Sequence, residues 1–381
     1  MNIEQMVWKD ASGWKPFGAA PASAPLTSGF LLVFGSAAIM EDGRALRELR
    51  ERYPGLSILG CSTAGEIIGT MVNDDTVVAT AVHFDHVTTR CAHVRLGDPV
   101  NSFQAGEELA RLLAADDLVH LFTLSDGLAV NGSDLVRGLS ARLPAGVAVT
   151  GGLAGDGTRF RKTIVACGDE VNSGVVAAIG FYGKRLKVGF ASLGGWDPFG
   201  PERLITRSQG NVLYELDGRS ALDLYKEYLG DHAAGLPATG LLFPLTLRLP
   251  ESEQPVVRTI LAVSEGEKSM TFAGDMPQGV YARLMRANID RLIDGATLAA
   301  KTSFEAMGSR APELAILISC VGRKLVLKQR IEEEVEGVRD VLGDAAVLTG
   351  FYSYGEISPF KPGVRSELHN QTMTITTLSE V

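Results

Sequence analysis

The chain of 381 residues has only four cysteines, Cys61, Cys91, Cys167 and Cys320, and no two of them form a CxxC pair. That spacing excludes a zinc ribbon, a thioredoxin-type motif and covalent haem attachment. It leaves free thiols, three of them in or beside apolar strands, where cysteine behaves as a small hydrophobe. No uninterrupted apolar run approaches the ~18 residues of a membrane-spanning helix, so no membrane partner is expected. There is no dense Lys/Arg cluster and the net charge is −9, which argues against nucleic acid or an acidic membrane surface as a partner. The stretch from Met1 to Pro16 carries acids and two tryptophans instead of the charged-then-apolar layout of a signal peptide, so the cytoplasm is the expected compartment. A GxSxG elbow, an HExxH helix motif and a Walker loop are all missing, and no enzymatic activity is expected.

What the sequence does have is one phrase at three places, each at the end of an apolar run. The copies are Gly60-Cys61-Ser62-Thr63-Ala64-Gly65-Glu66, Gly151-Gly152-Leu153-Ala154-Gly155-Asp156 and Gly350-Phe351-Tyr352-Ser353-Tyr354-Gly355-Glu356. Each loop has the same surroundings. An apolar strand (residues 30–34, 118–124, 314–318) precedes a segment with helical spacing: Leu46, Leu49, Tyr53; Leu135, Leu139, Leu143; Ile331, Val335, Val338, Leu342. A short second strand then runs into the loop, and a third strand follows it (76–84, 174–182, 372–378). From the start of the first strand to the loop glycine the copies take 30, 33 and 36 residues (30 to 60, 118 to 151, 314 to 350), the length of a βαβ unit.

Strands joined through a helix run parallel in one sheet, with a right-handed crossover. The expected class is therefore α/β: repeated strand, helix, strand, glycine loop, strand units forming mixed, largely parallel sheets. Residues 196–311 break the repeat. They read as a hairpin over 204–216, a helix over 220–229, antiparallel strands at 241–249, 256–263 and 269–272, and one long helix from 279 to 307. An antiparallel α+β segment is thus inserted in the C-terminal half. The expected organisation is an N-terminal extension (1–27), an N-terminal domain (28–200) and a C-terminal domain (201–381).

These phrases, with Ser319-Cys320-Val321-Gly322-Arg323 and His369-Asn370-Gln371-Thr372, closely resemble the FIST family, in both its N-terminal and C-terminal parts. The resemblance runs from about residue 28 to residue 380. It implies an intracellular signal-transduction sensor for small ligands such as amino acids, acting on a partner protein. Stand-alone members that this chain resembles bind haem, respond to nitric oxide and regulate a histidine kinase, so haem and a histidine kinase are the cofactor and partner that the resemblance implies.

The candidate ligand-binding residues are Cys61, Ser62, Thr63 and Glu66 of the first loop, Gly151, Gly152 and Asp156 of the second, and Tyr354 and Glu356 of the third, with Arg323, His369 and Asn370. Glycine lets a backbone approach a ligand closely, or merely ends a strand where another backbone is near. Because strands and not helices follow the loops, the helix N-terminus that attracts phosphates is missing. The three carboxylates either converge on an amine or each orders its own loop. Arg323 offers a bidentate fork for a ligand carboxylate, or braces a loop. Tyr352 and Tyr354 form an aromatic wall or fill the core. His369 is the first candidate for a haem-iron ligand, against a structural histidine bonded near the third loop. Cys61 follows a strand directly, as nucleophiles do, but has no histidine close in sequence, so a Cys61-dependent enzyme is the remaining alternative.

Overall fold

A computed structural model describes residues 1–18, 29–97, 101–144, 146–249, 255–360 and 363–381; residues 19–28, in and next to the expected N-terminal extension, lie outside this set. All three repeat units fold as the sequence pattern predicts. In unit one, Phe30–Gly35 pairs in parallel with Ser57–Ser62 across the helices Ala37–Asp42 and Arg44–Arg52. In unit two, Leu118–Ser125 pairs with Ala148–Leu153 across Gly132–Arg142. In unit three, Leu314–Cys320 pairs with Val347–Ser353 across Val321–Leu327 and Ile331–Leu342. A closing strand lies antiparallel against each opening strand: Val77–His83, Val175–Tyr182 and Met373–Glu380.

The helices form where the apolar spacing puts one face on its sheet. Leu46 and Leu49, Leu135 and Leu139, and Val335, Val338 and Leu342 are all buried. Their ends are set locally. Asn131 accepts from the Ser133 and Asp134 N–H groups at 3.0 and 3.2 Å, and Glu332, Glu333 and Glu334 occupy the first turn of Ile331–Leu342, where the helix dipole favours negative charge.

The short strand after each glycine loop leaves its own unit. Glu66–Ile68, following loop one, pairs with the second strand of unit three. Val165–Cys167, following loop two, pairs with that of unit one, and Gly355–Pro359, following loop three, with that of unit two. Each exchanged strand is the first of a hairpin. The exchange is cyclic and closes on itself, so the three sheets share one pseudo-threefold arrangement. The far edges are covered in the same way by Asn2–Lys9, Thr88–Arg95 and Leu186–Leu193.

The α/β class with mixed sheets stands, but parallel pairing is confined among the described residues to one pair of strands per unit. Only the helical crossover delivers a parallel neighbour; hairpins and exchanged strands arrive antiparallel. Inward faces of the three sheets meet in a common core that includes Phe34, Phe122, Leu124, Ile316, Ile318 and Phe351. Phe34 and Phe351, from different units, have ring centroids 4.7 Å apart.

The insertion has its own core and an eight-stranded antiparallel sheet. Its hairpin forms between Trp196–Gln209 and Val212–Leu216, and its helix spans Ala221–Leu229. The long helix expected from residue 279 is two elements, the strand Tyr281–Ala287 and the helix Ile289–Ala306. Asn288 separates them, its side chain capping the helix by accepting from the Arg291 N–H at 3.3 Å.

Candidate functional site

The three glycine loops meet in a ring. The Ala64 N–H donates to the Tyr352 carbonyl at 2.8 Å, the Gly155 N–H to the Ser62 carbonyl at 2.8 Å, and the Tyr354 N–H to the Leu153 carbonyl at 3.2 Å. Donors and acceptors occupy equivalent positions in the three loops, so one bond type closes the pseudo-threefold. The leading glycines serve this packing. A Cβ on Gly151, whose φ is +148°, would lie 1.8 Å from the Thr123 carbonyl oxygen; on Gly350 it would lie 1.8 Å from that of Leu317, and on Gly60 2.3 Å from that of Val33. Each glycine is there because the opening strand passes too close for a side chain. Gly151 and Gly152 thus face protein, with Gly152 against Ile318 and Phe351, and the ligand role expected for them gives way to a packing role.

The carboxylates do not share one partner. Glu66 accepts from Thr63 Oγ1 at 2.6 Å and from the Thr76 hydroxyl and N–H at 2.7 and 3.3 Å. Glu356 repeats the arrangement, with Ser353 Oγ at 2.5 Å and the Thr372 hydroxyl and N–H at 3.0 and 3.1 Å. Burial pushes the Glu66 carboxyl up to about 7 and that of Glu356 to about 8, against the hydroxyl bonds that favour ionisation. Asp156 departs from the pattern: it holds Arg159 at 2.6 and 2.8 Å and the Arg161 and Lys162 N–H groups. In unit two the matching role falls to Asp126, which accepts from the Leu128, Ala129 and Gly174 N–H groups, each at 2.8 Å. Sequence reasoning missed Asp126, although its place directly after the opening strand was a usable signal.

Arg323 is fully buried and paired with Glu334 at 2.6 and 3.0 Å, and it also donates to the Leu292 and Gly194 carbonyls at 2.7 and 3.1 Å. With its guanidinium so engaged it braces unit three and has no fork to offer a ligand. Tyr352 and Ser319 donate to the other Glu334 oxygen at 2.6 and 3.0 Å. Tyr354 stacks on Phe160 at 4.4 Å and donates to the Gly157 carbonyl at 3.1 Å, which fixes the course of loop two. Ser62 Oγ accepts from the Ile164 N–H at 2.9 Å. Cys61 is fully buried and burial raises its thiol well above the ordinary value, the opposite of an activated nucleophile.

His369 donates its Nε2–H to the Ser358 carbonyl at 2.8 Å, and Phe360 stands edge-on at 4.5 Å. Burial lowers its pKa to about 4, so the ring is neutral. Asn370 donates to the His369 carbonyl and accepts from the Thr259 N–H. An iron ligand needs a free ring nitrogen facing open volume, whereas His369 is buried, with its Nε2 held by backbone and Phe360 against the ring. The two open crevices described below contain no histidine. The residues at His369 therefore do not fit a haem site. Among the described residues no group of three or more His, Cys, Asp or Glu side chains is placed to hold a metal ion, and no helix is long and apolar enough to cross a membrane.

The open crevice at the ring lies over loop one and holds about 340 Å³. Unit one contributes Thr63, Gly65, Glu66, Asp74 and Asp75; loop two contributes Gly157, Thr158 and Arg159; the helix Val321–Leu327 contributes Lys324. The Lys324 ammonium donates to the Ala64 carbonyl at 2.8 Å and pairs with Asp74. Arg159 is half-exposed above its Asp156 partner. Thr63 and Glu66 are the expected site residues that reach this crevice; Lys324, Asp74 and Arg159 were missed. At unit three the corresponding junction is filled by the insertion: Gln371 donates to Thr259 Oγ1 at 3.0 Å and to the Leu241 carbonyl at 3.1 Å, and Arg258 to the Leu368 carbonyl at 3.0 Å. A second crevice of about 320 Å³, between the helices of unit one and the hairpin beyond loop two, contains none of the expected residues.

A family profile described as the FIST N domain matches residues 29–219, and one described as the FIST C domain matches residues 221–359. No curated protein matches the chain in sequence. Among solved structures, the chain is similar to a crystal structure of a chorismatase, with 9% identity over 98% of each chain and a TM-score of 0.33. A likeness that slight carries no argument about activity.

Proposed function

Because the chain belongs to the FIST family, whose domains are sensory signal-transduction modules, we propose that it senses a free amino acid or a similar small zwitterion in the crevice over loop one. One observation carries this reading: that crevice is walled by all three units and sets Lys324 and Arg159 beside Asp74 and Asp75. Cations suit a ligand carboxylate and the aspartates suit an ammonium group. Glu66, buried at the floor with a carboxyl pushed up to about 7, is the kind of perturbed group that marks functional clefts.

A ligand carboxylate drawing Lys324 away from Asp74 also loosens its bond to the Ala64 carbonyl, and the Ala64 N–H is one of the three bonds of the ring. Occupancy thereby biases how the units sit against each other, which is what a sensor requires: different affinity for two arrangements. The readout is a partner protein, and a histidine kinase is the class that the family resemblance names. Haem and nitric oxide are the rival ligand reading.

The test is a thermal-shift screen of amino acids on the full chain and on Lys324→Ala and Asp74→Asn, beside an absorption spectrum after haem is supplied. At about 100 times Kd a ligand adds about 2.7 kcal/mol. Taking about 2.1 cal/mol/K per residue for a 381-residue chain, that raises Tm by about 3 °C. A saturable rise that both variants abolish supports the reading. A rise that survives both variants places the ligand elsewhere, and a stoichiometric Soret band lost in His369→Ala replaces the zwitterion with haem.

A further inference from the structure

Two of the four cysteines stand together although they are far apart in sequence. Cys91 lies on Thr88–Arg95, the edge strand of unit two's sheet, and Cys167 ends Val165–Cys167, the strand that unit two lends to unit one's sheet. Their sulfurs are 3.1 Å apart, about 1 Å more than a disulfide bond of about 2.05 Å. Cys91 is partly exposed and gives a dissolved oxidant access from its side of the pair, whereas Cys167, like Cys61 and Cys320, is buried.

We propose that Cys91 and Cys167 are a reversible thiol oxidation site, forming a disulfide that ties the sheet of unit one to that of unit two. One S–H shared between the two sulfurs holds the Cys167 thiol below its ordinary value and pushes that of Cys91 up. Of the two, Cys167 is the thiol whose proton loss the neighbour favours, and a thiolate beside a thiol is the state from which oxidation starts. With a peroxide as oxidant, the thiolate sulfur attacks one peroxide oxygen, the O–O bond breaks and a sulfenic acid forms with release of water after protonation. The neighbouring thiol then attacks that sulfur, the S–S bond forms, the S–O bond breaks and a second water leaves. Two thiols lose two electrons and two protons in all, and one peroxide becomes two waters. A small dithiol reverses the step by exchange.

The bond would close the chain between positions 91 and 167. That segment carries the opening strand, helix and second strand of unit two, and Arg159 of the crevice. Oxidation therefore constrains the unfolded chain and pins one wall of the crevice without touching its lining residues.

The experiment treats the full chain with hydrogen peroxide, blocks free thiols with N-ethylmaleimide and maps the digest by mass spectrometry. Expected is a Cys91–Cys167 linked peptide, two hydrogens lighter than the separate peptides, that dithiothreitol dissolves. Cys61 and Cys320 should be alkylated only after unfolding. Linked chains should melt higher than reduced ones, and Cys91→Ser should remove that difference. Recovery of Cys91 and Cys167 as separately alkylated or singly oxidised peptides, with no linked species, overturns the site. A linked species whose Tm equals that of the reduced chain overturns the pinning.

Discussion

Replacing Arg323 with alanine distinguishes a ligand fork from a structural brace. The guanidinium makes two bonds to Glu334 and one each to the Leu292 and Gly194 carbonyls, and neither charged side chain is exposed to water. Alanine removes the cation and leaves the Glu334 carboxylate buried with only the Ser319 and Tyr352 hydroxyls for partners. Removing one member of a buried pair costs about 3–5 kcal/mol, chiefly through the uncompensated charge left behind. With about 2.1 cal/mol/K per residue and one cooperative transition over 381 residues, this lowers Tm by about 4–6 °C. The assay is a thermal melt followed by circular dichroism without added ligand. The double variant Arg323→Met, Glu334→Gln removes both charges and should melt above the single variant by an amount that no sum of independent effects gives. An Arg323→Ala chain that melts like the parent but no longer responds to amino acids would refute the brace and restore the fork.

Two opposed pH effects are expected. Glu66 and Glu356 titrate at about 7 and 8 in the fold against 4.5 unfolded, so the native state holds more protons and stability falls as pH rises from about 4.5 through 8. Melts between pH 5 and 9 should show this slope, flattened in Glu66→Gln and Glu356→Gln. On the acid side, His120 and His369 titrate at about 3 and 4 in the fold against 6.5 unfolded, so the unfolded chain binds the extra protons and stability falls as pH drops from 6.5 toward 3. His120→Gln should weaken that acid limb without moving the alkaline one. Gly350→Ala should cost more than about 4 kcal/mol because its Cβ meets the Leu317 carbonyl at 1.8 Å, whereas Gly97→Ala, with nothing within 4 Å, should be silent in the same melts.

The repeat was legible because its signals are local: near-continuous apolar strands, helical spacing and a glycine where two strands crowd. Helix positions such as Leu46, Leu135 and Val335 follow from period alone. The exchange of strands was not legible. Glu66–Ile68 is three residues long and pairs with Thr349, Gly350 and Phe351, a choice made by tertiary packing some 280 positions away and invisible to a local window. Tyr281–Ala287 was misread for a related reason: a short apolar run before a true helix has no period of its own. Of the residues that line the crevice, Thr63 and Glu66 were named through their phrase, while Lys324 was passed over beside Arg323. Which of two neighbouring cations is buried depends on the helix face, and Glu334, the residue that claims Arg323, stands on the next helix.

The pseudo-threefold ring also bears on where a ligand can act. Three equivalent junctions exist, one beside each loop, and the chain treats them differently. The insertion closes the junction at unit three through Thr259, Leu241 and Arg258. Phe160 stacked on Tyr354 occupies the contact between loops two and three. Over loop one the same architecture is left open, with charged residues in place of the aromatic stack. Because each ring bond joins a different pair of loops, a ligand over loop one that shifts Ala64 changes the bond to Tyr352 directly and leaves the other two as a hinge. The insertion, anchored at unit three through Gln371 and Leu368, is then the part of the molecule that a shift in the ring displaces first. Hydrogen exchange with and without ligand tests this: protection should change at Ala64 and Tyr352 and in residues 256–264 before it changes in unit two. Uniform protection across the three units would mean that the ligand merely stabilises the whole fold.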